Sequence, residues 1–331
     1  MNCTLKTGKN NLEINLAYLI YDCFLIGYMI QLSYISTQYR LFKGIEIVFF
    51  LCGYLLGILQ LIRQRWTKHS FIISIILIIT GLLVFMLNNT TGIESRLCIL
   101  NLFFVIIASK GIDFDKLIKT DLCIKIFFVI LNFMLCKIGI VTNVHSSRLH
   151  NSIIRYGYGF NHANTLGSVI FLIGMYTMYL RKEKLNIADL LFQLILFLFN
   201  YKITTSKTSM IGSLFCFIFI LSSMVFKHLK DKHLKKVWTF IRKQFCFSPL
   251  ILISLVFIVS YYWVDTNHIM VFLNKLFTSR IEQGMKVLNY YNPTLFGNNI
   301  MRLAWSDVLN GGYNTALVGS DISYIYIYST Y

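Results

Sequence analysis

Long apolar runs alternate with short polar segments along nearly the whole chain. They fall at 16–35, 45–62, 70–87, 97–109, 122–141, 166–180, 187–203, 210–226 and 247–264. Most approach the roughly 20 residues a helix needs to cross about 30 Å of hydrocarbon. The fourth is short and is expected to begin nearer Ile93. Prolines, which would break such helices, number only two, Pro249 and Pro293. The pattern predicts an all-α polytopic membrane protein with nine full transmembrane helices in a core spanning 1–264. Beyond it, 265–321 reads as a long extracytoplasmic loop. Within that loop Ile269, Phe272, Leu273, Leu276, Phe277, Ile281, Met285 and Leu288 recur at three- and four-residue spacing. Such spacing predicts an amphipathic helix of about 20 residues, able to lie along a membrane surface. Residues 322–331 are largely apolar but as a helix would rise only about 15 Å. They are expected to be the start of a tenth helix in a truncated chain.

Composition agrees. Of 331 residues 56% are hydrophobic and 14% charged, against about 25% charged in soluble domains. The net charge of +17 does not point to nucleic acid, because Lys and Arg sit between apolar runs rather than on one basic domain. Their distribution instead sets orientation. With a cytoplasmic N-terminus, 18 of the 31 cations fall in the tail and in 63–70, 110–121, 181–184 and 227–243. Only 11 fall in the longer outward segments, as the positive-inside rule requires. The first run follows Lys6 and Lys9 like a signal peptide, but it is too long for one and no cleavage site follows. Eight cysteines include no C-x-x-C pair, so neither a disulfide framework nor a zinc site is indicated.

Topology explains the cytoplasmic cations but not the outward ones, and two outward segments concentrate them. The first, 142–165, carries His145, Arg148, His150, Arg155 and His162, with Gly157 and Gly159 permitting a tight turn. It reads either as a solvated loop whose arginines meet lipid phosphates or as a site. A metal is not expected, since no two histidines have helical ligand spacing and no carboxylate is near. In the second, Arg280 lies close to the apolar stripe of the amphipathic helix. There it either snorkels to the interface or aims its planar fork at a phosphate. Within the runs Asp22, Lys125 and Lys137 are costly in lipid and are expected to face the bundle interior, with Asp22–Lys125 a candidate pair.

Four stretches, in order, carry a family resemblance. Arg155-Tyr-Gly-Tyr-Gly-Phe-Asn-His-Ala-Asn-Thr-Leu-Gly167 comes first, and Thr205-Ser-Lys-Thr-Ser209 second. Leu276-Phe-Thr-Ser-Arg-Ile281 with Thr294-Leu-Phe-Gly297 is third, and Gly319-Ser-Asp321 with Tyr324 fourth. Over about 140–331 the chain resembles the Wzy-type polysaccharide polymerases of the O-antigen polymerase/ligase class, nearest the capsule and exopolysaccharide members. It departs from that pattern in three places: Ala163 stands where Pro is usual, Lys207 where Arg is usual, and no Asn follows Asp321. The family's C-terminal spans are also missing.

The resemblance implies a metal- and cofactor-independent glycosyltransferase in the bacterial cytoplasmic membrane. On its outer face a glycan would pass from a polyprenyl diphosphate carrier to a hydroxyl of the next lipid-linked repeat unit. Polyprenyl-diphosphate-linked oligosaccharide and membrane lipid are the partners implied, with a flippase and a chain-length regulator as protein partners and no nucleic acid. Arg155 and Arg280 would stabilise the departing diphosphate, and His162 would position or deprotonate the acceptor hydroxyl. Arg148, His150, Asn161, Asn164, Lys207, Arg302, Asp321 and Tyr324 are the substrate contacts implied. Tyr156, Tyr158 and Phe160 either stack on sugar rings or belong to an interfacial aromatic belt. A ligase of the same architecture remains an alternative, as does a flippase of lipid-linked sugars.

Overall fold

The computed structural model describes residues 7–63, 66–87, 93–108, 112–148, 151–182, 184–228, 258–259, 261–262, 267–276, 281 and 285. It is mostly helical. Five helical stretches are long and apolar enough to cross a membrane: Asn15–Leu32, Arg40–Arg63, Ala163–Leu180, Ile187–Thr204 and Lys207–Phe226. The protein is therefore a helical membrane protein. A shorter apolar stretch, Lys68–Leu83, adds to them, and the ninth run, 247–264, lies almost wholly outside the described residues.

The chain divides into two compact units, 1–65 with 104–234, and 66–103 with 235–331. The first holds α1 (Thr7–Leu32), α2 (Tyr34–Gln38) and α3 (Arg40–Arg63), the end of α5 (Ile93–Ala108), and α6 (Phe114–Ile138). A hairpin follows, β1 (His145–Arg148) and β2 (Asn151–Tyr156), then α7 (Ala163–Leu180) and α8 (Ile187–Phe199). A π-helical turn, Asn200–Thr204, leads into α9 (Lys207–His228).

Side chains in this unit are arranged as lipid demands. Leu51, Leu55, Ile62, Phe127, Ile138 and Ile195 are exposed, whereas Glu46, Gln60, Asp121, Lys125, Asn132, Gln193 and Asn200 are buried. On α3 the inward face is Glu46, Gly53, Gly57 and Gln60; on α6 it is Ile118, Asp121, Lys125, Phe128 and Asn132. Successive members stand three, four or seven residues apart, so each set lies on one helix face, which turns the polar side chains inward and leaves an apolar face outward. Gly53 lets α1 close on α3. A Cβ there would stand 3.0 Å from the Phe24 ring, which packs edge-on against Tyr54 at 5.2 Å.

Lys125 pairs with Asp121, one turn before it on α6, not with Asp22. Asp121 belongs to the buried face of the helix rather than to a loop, and its other oxygen accepts Tyr21 Oη at 3.0 Å and Tyr176 Oη at 2.8 Å. One carboxylate thus ties α1, α6 and α7 together. Asp22 Oδ1 is buried and has no hydrogen-bond partner among the described residues. Lys137 instead lies over the rings of Phe133 and Tyr158, at 5.5 and 5.8 Å.

The ends are set by local chemistry. Asp113 Oδ1 accepts Asp115 N at 3.0 Å to start α6, and left-handed Gly139 (φ +85°) ends it. Asn186 and Asp189 form a reciprocal capping box on α8.

In the second unit α4 (Lys68–Leu87) opens on Thr67 and Ser70, whose hydroxyls accept each other's backbone N–H at 3.3 and 3.2 Å. Gly81 allows α5 to approach α4: a Cβ there would stand 3.0 Å from Phe103. The amphipathic segment is helical over α10 (His268–Leu276), capped by Asn267 Oδ1, which accepts Ile269 N at 3.0 Å. Ile269 and Phe272 are exposed on it and Asn274 is buried. Ile281 and Met285 are helical as well.

Candidate functional site

Residues 142–148 and 151–165, expected in an outward loop, form a hairpin and a turn at one end of the first unit. The β-branched and aromatic content of 151–156 favours extended backbone, and β2 pairs antiparallel with β1, Ser146 opposite Arg155 and His145 opposite Tyr156. Gly157 N continues the pairing to Val144 O at 2.9 Å, and Tyr158 N donates to Asn143 Oδ1 at 3.0 Å. The chain then turns sharply through Tyr158 (φ +41°) and Gly159 (φ +81°). At Gly159 a Cβ would come within 2.7 Å of Asn132 O, so only glycine fits.

This turn docks into a break in the first predicted span. α1 stops at Leu32, Ser33 adopts extended geometry, and α2 resumes at Tyr34. Ser33 and Phe160 form an isolated antiparallel bridge. Gly159 O accepts Tyr34 N at 2.7 Å and Leu32 O accepts Asn161 N at 3.0 Å. Beneath it Asn132 Nδ2 donates to Ser33 Oγ at 2.7 Å. Phe160 is fully buried among Met29, Phe128, Leu166 and Ile170, which makes it core rather than a sugar platform. Tyr156 and Tyr158, half-buried with ring centroids 5.8 Å apart, keep both of their readings.

Arg155 and His162 flank the turn. Arg155, on β2, is 9% exposed, and its Nη1 donates to Asn164 Oδ1 at 3.3 Å. His162 is the N-cap of α7, its Nδ1 accepting Asn164 N at 3.0 Å. Asn164 therefore touches both, through its side chain and its backbone. Because Nδ1 accepts, a neutral His162 ring carries its proton on Nε2 and presents a donor there.

The turn before α9 meets the same helix. Thr205 is left-handed (φ +44°). A Cβ on Gly167 would stand 2.9 Å from Ser206 Cβ and 3.0 Å from Thr204 Oγ1. Behind it lie buried hydroxyls and an amide: Asn200 Nδ2 donates to Ser213 Oγ at 3.2 Å, and Ser206 Oγ to Ser209 Oγ at 3.1 Å. Half-buried Lys207 opens α9, which brings a second helix N-terminus, with its partial positive charge, beside the first. Arg155, Lys207 and the two helix N-termini thus lie toward one end of the unit, and fixed positive charge of this kind favours an anion.

Of the residues expected at the site, Arg155, Asn161, His162, Asn164 and Lys207 are brought to this end of the unit. Arg148 ends β1 opposite Asn151, at a register irregularity. His150, Arg280, Arg302, Asp321 and Tyr324 lie outside the described residues. Among the described residues no three His, Cys, Asp or Glu side chains are placed to hold a metal ion. Ser33, Asn132, Asn200 and Thr204 are site-supporting residues that the sequence analysis does not single out. Their signal was polarity inside or at the edge of apolar runs. Comparison with protein-family models, with curated proteins and with solved structures finds no match for this chain.

Proposed function

We propose that the chain polymerises polyprenyl-diphosphate-linked oligosaccharide repeat units by glycosyl transfer at the outer face of a bacterial cytoplasmic membrane. One observation carries the reading. Two stretches resembling the Wzy-type family, 155–167 and 205–209, are about forty residues apart in sequence yet pack on each other where Gly167 meets Ser206. Arg155, Lys207 and two helix N-termini supply fixed positive potential for a diphosphate that gains charge as it leaves. The glycosyl carbon passes from the carrier's diphosphate oxygen to the acceptor hydroxyl oxygen, and the hydroxyl proton is released. His162 serves as a hydrogen-bond donor through Nε2 while its cap is intact; taking the proton itself requires Nδ1 to give up Asn164 N. In this reading the core has nine spans and the N-terminus is cytoplasmic, and Arg280, Arg302, Asp321 and Tyr324 of the long outer loop are the further substrate-handling residues that the resemblance implies.

The test is a glycan profile of a strain deleted for this gene and complemented with the 331-residue chain or its His162→Ala variant. Single lipid-linked units outside the membrane in the deletion, and long polymer only with the unaltered chain, are expected. Units trapped on the cytoplasmic side would make the protein a flippase instead. Normal polymer with His162→Ala would remove His162 from the site.

A further inference from the structure

We propose that Asn161 is a positioning residue: its two-sided amide latches the Arg155–His162 turn onto the broken end of α1. The inference rests on the transfer reading above. A helix that ends leaves its last four carbonyls without intrahelical partners. In α1 these belong to Met29, Ile30, Gln31 and Leu32. Ser33 covers the first two, its Oγ donating to Met29 O at 2.8 Å and its N–H to Ile30 O at 3.0 Å. Asn161 covers the other two, its Nδ2 donating to Gln31 O at 2.7 Å and its N–H to Leu32 O at 3.0 Å. On the far side of the break its Oδ1 accepts Thr37 Oγ1 at 3.3 Å. One side chain thus grips the last turn of α1 and the body of α2 together.

Both amide groups of Asn161 are engaged by protein, so its reach toward substrate is indirect, through its neighbours. His162 follows it in the chain and Arg155 enters the same turn from β2. Asn164 holds the guanidinium and backs the imidazole. A shift of the turn against α1 would move both groups relative to α9, and a misplacement of about 1 Å can cost on the order of 10²-fold in rate. No shorter or singly functional side chain does the same. Aspartate keeps the acceptor for Thr37 but sets a carboxylate against the Gln31 carbonyl, and serine cannot span both partners.

The experiment uses the full chain in nanodiscs with a lipid-linked repeat unit as donor, comparing Asn161→Asp and Asn161→Ser with the unaltered protein. Transfer rate, thermal melting and amide hydrogen exchange are read together. Expected is a kcat lower by about 10–100-fold with KM for the donor changed less than about threefold. Melting should be nearly preserved, and faster exchange confined to 31–38 and 157–166. Unchanged kcat in a folded variant overturns the proposal, as does a loss of folded protein with normal kcat per folded molecule. Should the unaltered chain transfer nothing, the transfer reading fails by itself and exchange decides the latch. Faster exchange in both segments upholds it, and unchanged exchange sinks it.

Discussion

At the scale of the residue, His162 has two duties that substitution can separate. Its Nδ1 caps α7, a role that asparagine performs well and alanine cannot. His162→Asn should keep the fold within about 0.5 kcal/mol, whereas His162→Ala should lose about 1 kcal/mol of helix capping. Both should reduce transfer, by roughly 10²–10³ if the ring donates to developing charge. Thermal melting beside glycan chain length distinguishes the two duties: full activity in His162→Asn would make the histidine a cap and nothing more. Gly159 permits a second prediction. With φ at +81° and Asn132 O in the way of any Cβ, Gly159→Ala should destabilise the protein by about 1–3 kcal/mol. Melting measures it directly, and an unshifted transition would contradict the turn geometry. The motif around these residues was legible in the sequence, but the duty of Asn161 was not. Its partner Gln31 lies 130 residues away, and nothing local says whether an amide faces substrate or a helix end.

At the scale of the element, the buried polar stripes of α3 and α6 matter more than any apolar pattern. In lipid an apolar face has no preference for its neighbours, so packing and polar contacts decide which side turns inward. The first eight runs mark the helices, one run covering both α1 and α2, because length and apolarity suffice for that, although α1 and α6 begin nine and eight residues before their runs. They did not predict the break at Ser33, which exists because the 157–161 turn supplies what the helix end lacks. Nor did they reveal the partner of Lys125. Asp121 stands at the edge of an apolar run, where hydropathy alone places a loop, but its spacing of four from Lys125 is itself the signal. The pair carries a prediction. Asp121→Ala leaves a buried ammonium and two tyrosine hydroxyls without their acceptor, at a cost of about 3–5 kcal/mol. Asp121→Leu with Lys125→Met removes both charges and should recover more than half of that loss. Melting of the single and double variants in nanodiscs reads the difference; a double variant no better than the single would mean that the tyrosine contacts, rather than the charges, hold the three helices.

At the scale of the whole molecule, orientation connects the site to its chemistry. Each helix that crosses reverses the side on which the next connection emerges. The hairpin and the turn at Thr205 therefore share a side, and the connection between α7 and α8, with Arg181, Lys182 and Lys184, takes the other. In the topology proposed above, most of the cations lie in segments of that second parity, which would then be cytoplasmic, with the Arg155–His162 end outside. Single cysteines in an otherwise cysteine-free chain decide it. His145→Cys, exposed at the start of β1, should react with a membrane-impermeant maleimide in intact spheroplasts. Lys182→Cys, exposed at the end of α7, should react only after the membrane is opened. The reverse pattern would place Arg155 and His162 in the cytoplasm, away from outward-facing carrier-linked glycans. Outer-face polymerisation would then fall even though every local contact at the site stayed as it is. Labelling of both positions in intact spheroplasts would break the alternation instead, and with it the crossing of α7.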